Sequence, residues 1–164
     1  MPIYTRRRLT NYLVVGLSLA ATAFGLIFLA FVLGTLLATQ AASEHLGEGA
    51  SVINIGSVVS TVTPAATAVY TGTKGAIDAI TGVLAKELAP RKIRVNSINP
   101  GIVVTEGAQS AGIIGSDLEK DVVAQTPLGR LGQVGDIASI ATFLASEDSK
   151  WLTGERISAS GGFR

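Results

Sequence analysis

The hydrophobic positions of the chain follow two different patterns. Between Tyr12 and Ala38 nearly every residue is apolar or small, and no charged residue occurs from Leu9 to Ser43. Helices of soluble domains usually carry a polar face, so this run predicts a helix that is apolar on all sides. About 20 such residues cross a bilayer core, and the run therefore indicates a membrane span. A cleaved export signal and a buried core helix are the alternatives.

Beyond about Leu36, short apolar segments alternate with helical periodicities. The predicted elements are strands at 51–55, 92–98 and 156–160, helices at 69–88 and 136–145, and a helical loop at 106–125. In the longer helix, apolar residues recur at the spacing of one helical face, namely Ile77, Ile80, Leu84 and Leu88. Strands that alternate with helices predict an α/β fold with a mostly parallel, doubly wound sheet.

The composition shows where the excess of apolar residues lies, and the charged residues on either side of it predict its orientation in a membrane. The chain is 48% hydrophobic and 15% charged, whereas soluble domains carry about 25% charged residues. The excess lies in the apolar run, so we divide the chain into a basic amino terminus with a predicted transmembrane helix at 1–38 and a second unit at 39–164. Arg6, Arg7 and Arg8 precede the run, and Glu44 and Glu48 follow it. The positive-inside rule then predicts a membrane protein with a cytoplasmic amino terminus.

The charged and metal-ligating residue types limit the classes of function. The net charge is +1, and the basic residues are scattered apart from one arginine cluster. This argues against a nucleic-acid partner, because phosphates require clustered lysine and arginine. The chain has no cysteine and a single histidine, His45. We therefore expect neither a disulfide framework nor a histidine or thiolate metal site.

A tyrosine and a lysine of the longer predicted helix suggest acid–base chemistry. Tyr70 and Lys74 are four residues apart and share one helical face. Free tyrosine, with a pKa of about 10, exchanges protons poorly at neutral pH, but a neighbouring ammonium favours the phenolate. Ser57 lies thirteen residues before Tyr70, just past the strand at 51–55, where α/β proteins bind ligands. These groups suit carbonyl reduction or its reverse; an ordinary amphipathic helix is the alternative.

These residues belong to longer stretches that resemble a known family. The stretches are NIGSVVS at 54–60, YTGTKGAIDAITGVLAKELAPRKIRVNSINPGIVVTE at 70–106 and PLGRLGQVGDIASIATFLASEDSKWLTGERISASGG at 127–162. Together they resemble the carboxyl-terminal half of a short-chain dehydrogenase/reductase, from about residue 36 to the end. The resemblance implies a Rossmann-type sheet, NAD or NADP as cofactor, a small-molecule carbonyl or alcohol substrate and a cytoplasmic location. The stretches at 122–133 and 160–162 are most similar to bacterial glucose 1-dehydrogenase-like and 3-oxoacyl-carrier-protein reductase-like members.

The resemblance assigns catalytic roles to three residues. Ser57 would orient and polarise the substrate carbonyl, and Tyr70 would act as general acid or base. Lys74 would favour the phenolate and hold the nicotinamide ribose, so Tyr70 and Lys74 also count as cofactor-binding residues. Ser60 is the alternative to Ser57, but it lacks the thirteen-residue spacing to the tyrosine that the family shows.

The segment after the second predicted strand resembles the Pro-Gly element of the family. By that resemblance Pro100, Gly101 and Ile102 would pack along the nicotinamide, and Thr105 would hydrogen-bond its carboxamide or the pyrophosphate. A plain turn residue is the alternative reading of Gly101.

Two motifs of the family's first half are missing from this sequence. A Gly-rich turn that brings a helix amino terminus to the pyrophosphate does not occur, because Gly16, Gly25 and Gly34 are too widely spaced. The family's Asn-Asn-Ala-Gly strand is also absent. The expectation is an incomplete Rossmann-like sheet, preceded by a long apolar helix, in a truncated or fused gene product. Its strand at 51–55 would expose an apolar edge.

Three hypotheses of function follow. The first is an NAD(P)-dependent oxidoreductase that interconverts a carbonyl and an alcohol. The second is a non-enzymatic module, tethered to a membrane through 12–38, that uses the exposed sheet edge and the helix at 70–88 to bind a partner, such as a full-length relative, in a homo- or hetero-oligomer. The third is a nonfunctional fusion product.

Overall fold

The structure, a computed structural model, describes residues 3–164; the side chains at 3–11, 13, 19–21, 23, 24 and 31 lie outside that description. The helices are α1 (Ile3–Ser43), α2 (Val59–Val62), α3 (Ala68–Leu88), α4 (Glu106–Ser110), α5 (Asp117–Gln125) and α6 (Val134–Ala145). The strands are β1 (Ser51–Ile55), β2 (Arg94–Pro100) and β3 (Arg156–Ala159). Single 3-10 turns at Ala89–Arg91 and Glu147–Ser149 follow α3 and α6.

The described strands form one parallel sheet in the order β1-β2-β3. Its register pairs Ile55 with Ile98 and Pro100 with Ala159, so the carboxyl ends of the strands lie side by side. The central strand β2 is buried from Arg94 to Asn99, as expected for a parallel strand with neighbours on both sides. The predicted α/β fold with a parallel sheet is confirmed.

Consecutive residues of β2 show that α3 and α6 cover opposite faces of the sheet. Val95 is fully buried against Leu84 and Ala85 of α3. The neighbouring Arg94 points the other way, because its guanidinium donates to the Leu144 carbonyl at the end of α6. Side chains alternate between faces along a strand, so the sheet is doubly wound.

Arg94 also closes the carboxyl end of α6. Its guanidinium is nine-tenths buried and donates to the carbonyls of Leu144 and Ser146 at 2.9 and 3.2 Å, and to Ser149 Oγ at 2.9 Å. The last carbonyl groups of a helix have no N–H partner within it, so a cation at this end is favourable. The hydrogen bonds also compensate the buried guanidinium for its lost hydration. The sequence pattern gave no indication of this cap, since arginine in a predicted strand is usually read as solvent-facing.

The carboxyl end of α1 packs onto the α/β unit. Leu36 contacts the core cluster of Leu84, Ala85 and Val95, and Thr39 is buried. Arg91 donates to the carbonyl of Ser43 at 2.7 Å, which caps the last turn of α1. The helix therefore continues through the division predicted at residue 38, and its last turns contribute to the core.

Further towards the amino terminus, α1 exposes apolar side chains. The exposed fraction is 74% for Tyr12, 63% for Leu17 and 59% for Leu26. The segment Gly25–Ser43 is long enough and apolar enough to cross a membrane. A core helix of a soluble protein can have the same length and composition. The side chains of Arg6, Arg7 and Arg8 lie outside the described ones, so the membrane orientation predicted from them stays a prediction.

Most predicted elements occur near their expected bounds, and two differ for local reasons. The second strand begins at Arg94 instead of residue 92, because Lys92 has φ 56° and its N–H closes the 3-10 turn on the Ala89 carbonyl. The predicted helical loop at 106–125 contains α4 and α5, capped by Thr105 and Ser116. Their hydroxyls accept from N–H groups three residues on, the usual N-cap arrangement.

Candidate active site

Backbone hydrogen bonds fix the segments that follow β1 and β2. Beyond β1, the Gly56 N–H donates to the Ile98 carbonyl at 2.8 Å and the Val58 N–H to the Pro100 carbonyl at 3.0 Å. Beyond β2, the Gly101 N–H donates to the Ala159 carbonyl at 3.0 Å. Ser57, between two of these donors, is therefore held beside the end of β2. Ligands of open α/β proteins bind at this edge of the sheet.

Ser57, Tyr70 and Lys74 line one cleft at this edge, with a volume of about 480 Å³. Pro100, Gly101 and Thr105 line the same cleft. The segment after β1, the first turns of α3 and the segment after β2 thus converge on one cleft.

Lys74 lies between the end of β1 and the tyrosine. Its Nζ donates to the Ile55 carbonyl at 3.0 Å and lies 5.9 Å from the centre of the Tyr70 ring. Partial burial lowers the pKa of Lys74 below its ordinary value, and the Asp78 carboxylate one turn further along α3 opposes this shift. The hydrogen bond to a carbonyl at the strand end keeps the ammonium inside the cleft.

The serine and the tyrosine differ in exposure. Ser57 is 8% exposed, and its Oγ accepts from the Val59 N–H at 3.3 Å. That bond uses an oxygen lone pair, so the hydroxyl hydrogen can be donated into the cleft. Tyr70 is 42% exposed at the mouth of the cleft. A fixed donor and an accessible phenol suit a small carbonyl compound that enters from solvent.

The alternative serine, Ser60, points away from this site. Its Oγ lies 2.6 Å from Asp78 Oδ2, to which it can donate, and 2.9 Å from the Ser57 carbonyl oxygen. Ser60 therefore belongs to a polar cluster beneath α3 and does not line the cleft.

Gly101 has a structural reason to be glycine that differs from a plain turn. A Cβ at this position would lie 3.1 Å from the Ser160 Cα and 3.2 Å from its Cβ. These distances are tighter than ordinary contacts, so glycine permits the close approach of the segments that follow β2 and β3.

The other two residues of the Pro-Gly element contribute in different ways. Ile102 is not among the residues that line the cleft, and its carbonyl accepts from the Gly132 N–H at 2.9 Å. Thr105 lines the cleft, but its Oγ1 also accepts from the Ala108 N–H at 3.1 Å as the N-cap of α4.

Apolar side chains that sequence reasoning did not assign complete the cleft. Val134 and Ile137 come from the first turn of α6, and Val103 comes from a bridge with Gly132. The periodicity of α6 placed Ile137 on a core-facing stripe, but helical spacing cannot tell a core from a cleft wall. The Ile55 carbonyl was also missed, because a backbone acceptor leaves no mark in the sequence.

A second groove, of about 500 Å³, lies at the opposite ends of the strands. Lys92, Arg94 and Trp151 line it, and none of the three candidate catalytic residues does. We therefore locate the candidate active site by its chemistry at the carboxyl ends of the strands.

Comparison with known sequences gives a family match over residues 17–164, to the family described as Enoyl-(Acyl carrier protein) reductase. This match begins at residue 17, within the apolar run, whereas the resemblance described from the sequence motifs begins at about residue 36. An uncharacterized oxidoreductase of Methylorubrum extorquens is 66% identical over 138 residues, 84% of this chain and 56% of that protein. A 3-oxoacyl-acyl-carrier-protein reductase of Staphylococcus aureus is 38% identical over 112 residues, 68% of this chain and 44% of that protein. This chain spans about half the length of the curated relatives it matches.

Solved structures show the same fold. A short-chain type dehydrogenase/reductase from Mycobacterium ulcerans matches with a TM-score of 0.74 at 34% identity, over 79% of this chain and 47% of that one. A blue fluorescent protein from a metagenomic library, in complex with NADPH, also gives 0.74, at 32% identity over 81% and 53% of the two chains. The matched proteins have names that refer to several substrates, so the predicted likeness to glucose 1-dehydrogenase in particular is not supported.

Proposed function

The chain belongs to the short-chain dehydrogenase/reductase family, and on this premise we propose that it interconverts a small-molecule carbonyl and an alcohol with NAD or NADP. The observation that carries the proposal is the convergence of Ser57, Tyr70 and Lys74 on one cleft at the carboxyl ends of parallel strands. A nicotinamide cofactor would supply or accept the hydride. The side chains of this cleft would bind the carbonyl compound and move the proton.

Tyr70 is the proposed general acid or base. Its phenol is accessible at the mouth of the cleft, where a carbonyl oxygen can approach the Oη atom. In the reductive direction the O–H gives its proton to that oxygen, and the phenolate that remains is stabilised by the nearby Lys74 ammonium.

Ser57 is the proposed group that orients the carbonyl. Its Oγ accepts from the Val59 N–H, which restrains the oxygen and leaves its hydrogen available for donation to a carbonyl oxygen. A donor already aimed at an oxygen that gains negative charge stabilises the transition state more than the ground state.

The residues of the cleft fit the nicotinamide end of a cofactor. Lys74 offers an ammonium for ribose hydroxyls and Thr105 offers a hydroxyl, while Pro100 and Gly101 form part of the cleft wall, against which a ring would pack. Ile102 would support this wall through its bond to Gly132.

Cofactor titration tests the proposal. We expect saturable binding of NADH or NADPH to the purified chain, followed by fluorescence. Tyr70→Phe should retain binding and lose turnover of a generic diketone or 3-oxoacyl thioester, while the control Tyr12→Phe, on the exposed part of α1, should lose neither. Absence of saturable binding at millimolar cofactor would reject the chain as an autonomous reductase, although its family membership would stand.

A membrane tether is a second candidate function, favoured by the exposed apolar side chains along α1. Val14, Leu17, Ile27 and Leu29 are each at least half exposed, and burial of such side chains in lipid is favourable. Flotation with liposomes after an alkaline carbonate wash tests this role. Recovery with the vesicles supports a span within 12–38, and recovery in the soluble fraction rejects it.

A further inference from the structure

A cluster of buried polar side chains lies beneath α3, on the side of the sheet away from α6. Asp78 of α3 is 6% exposed and Asn99 of β2 is 2% exposed. Asn99 Nδ2 lies 3.0 Å from each carboxylate oxygen of Asp78, and Ser60 Oγ lies 2.6 Å from Oδ2. We call Ser60, Asp78 and Asn99 the carboxylate cluster.

The cluster is held from several elements. Asn99 Oδ1 accepts from Ser97 Oγ at 2.7 Å, which fixes the amide with its nitrogen towards Asp78. Gly56 makes room for this amide, since a Cβ there would lie only 2.1 Å from Asn99 Oδ1. The arrangement therefore requires compatible residues after β1, in α2, in α3 and in β2.

A buried carboxylate is unfavourable unless donors or a cation compensate for lost hydration. Ser60 and Asn99 supply the donors, and no ion pair with Asp78 occurs among the described side chains. Two charged groups lie near Asp78. Lys74 is one turn earlier on the same face of α3. Arg156 of β3 lines a small cavity that Asp78 also lines. Of these two, only Lys74 also lines the candidate active site.

Lys74 is a partly buried cation and therefore needs a nearby negative charge, whereas Asp78 needs donors or a cation. The surroundings of Lys74 are partly desolvated, which disfavours the ammonium and lowers its pKa, and the field of Asp78 offsets part of this effect. The titratable groups that face Lys74 are Tyr70 and Asp78, each one turn away on α3. The Ile55 carbonyl accepts from the ammonium but carries no charge.

We propose that Asp78 is a positioning residue that keeps Lys74 charged beside Tyr70, with Ser60 and Asn99 holding its carboxylate in place. The proposal assigns a role in the site to a residue that does not touch the cleft. It rests on the proposed function only in its effect on Tyr70, because the effect of Asp78 on Lys74 is a property of the chain without substrate.

The test is an NMR titration of the Lys74 side-chain amine in the full chain, compared with Asp78→Asn. We expect the Lys74 pKa to fall further below its ordinary value in the variant, because the isosteric amide removes the charge. The control Asp121→Asn removes a carboxylate from an exposed position on α5 and should leave the Lys74 titration at its wild-type position. An unchanged Lys74 titration in Asp78→Asn would overturn the inference.

A second measurement uses the wild-type chain, in case Asp78→Asn does not fold. The 13C signal of the Asp78 carboxylate should move at the pH where Lys74 loses its proton, since the loss of the ammonium charge changes the electric field at the carboxylate. A carboxyl signal that stays constant through that pH would also overturn the inference. Neither measurement requires turnover, so failure of the proposed reaction and failure of this inference are separate results. If turnover is observed, the alkaline limb of kcat should shift to lower pH in Asp78→Asn.

Discussion

The ammonium of Lys74 lies 5.9 Å from the centre of the Tyr70 ring and is anchored to the Ile55 carbonyl at 3.0 Å. The four-residue spacing on α3 gives the two side chains a common face. The hydrogen bond to the end of β1 directs that face towards the cleft. The tyrosine therefore has a fixed cation beside it before any substrate binds.

We predict that turnover falls at high pH as Lys74 loses its proton. Burial lowers the pKa of Lys74 from its ordinary value of 10.5, so the alkaline midpoint of kcat should lie below 10.5. Lys74→Arg should retain activity at higher pH than the wild type, because arginine stays charged. Lys74→Met should lower kcat by about 10²- to 10⁴-fold at all pH values, the range typical of acid–base catalysis. Equal activity of the methionine and arginine variants would contradict this role.

Two serines provide a matched pair of variants. Ser57→Ala should lower kcat by about 10²- to 10³-fold, as does loss of one donor to a developing oxyanion, with little change in the free energy of unfolding. Ser60→Ala should instead destabilise the fold by about 1–3 kcal/mol, because the buried Asp78 loses a donor. Steady-state kinetics and urea unfolding of both variants test this. A larger loss of kcat in Ser60→Ala than in Ser57→Ala would reverse the assignment.

The lack of space between Gly56 and the Asn99 side chain makes Gly56 sensitive to substitution. In Gly56→Ala the new Cβ would lie 2.1 Å from Asn99 Oδ1, so the amide must shift and its bonds to Asp78 and Ser97 must weaken. We expect a loss of about 1–3 kcal/mol in the free energy of unfolding. The double variant with Asn99→Ala should lose less than the sum of the two single variants, because the clash is gone. Strict additivity in urea denaturation would show that the two residues do not interact.

The sequence predicted those parts of the molecule that depend on regular periodicity or on a motif. The strand at Ser51–Ile55 and the helix at Ala68–Leu88 follow from apolar spacing, and the motif places Ser57, Tyr70 and Lys74 in one cleft. Contacts between distant residues were not predictable. Arg94 beneath α6 donates to carbonyls 50 and 52 positions away in the sequence. Asn99 beneath α3 donates to Asp78, which lies 21 positions away. Periodicity carries no information about such pairs.

The apolar run shows why composition alone is ambiguous. Its lack of charge is compatible with a bilayer, but Leu36 packs on Leu84 and Val95 in the core. We predict that Leu36→Ala lowers the free energy of unfolding by about 1–3 kcal/mol, less than for a fully buried leucine because Leu36 is only partly buried. Leu29→Ala, at a half-exposed position of the same helix, is the control and should change it by less than about 0.5 kcal/mol. Equal effects of the two substitutions would indicate that the end of α1 does not belong to the folded unit.

The ion pair at the start of α6 predicts a loss of stability in acid. Asp136 Oδ2 accepts from Arg130 Nη1 at 2.7 Å and from the Gln133 N–H at 2.7 Å. The bond from Arg130, followed by that from Gln133, lowers the pKa of Asp136 from 3.8 to about 2. A carboxyl whose pKa is lower in the folded state stabilises the fold fully above its unfolded pKa and loses that effect as pH falls through the folded one.

The free energy of unfolding should therefore decline as the pH falls from about 4 to about 2. Asp136→Asn should be less stable than the wild type at neutral pH, and the difference should shrink towards pH 2 and vanish below it, because the wild-type carboxyl becomes protonated as the pH falls through its folded-state pKa of about 2. Arg130→Gln should raise the pKa of Asp136, measured by its 13C carboxyl signal. Since Val134 and Ile137 of this turn line the cleft, the same variants should weaken cofactor binding more than Asp121→Asn on α5 does. A constant stability difference across this pH range would show that the ion pair does not couple protonation to folding.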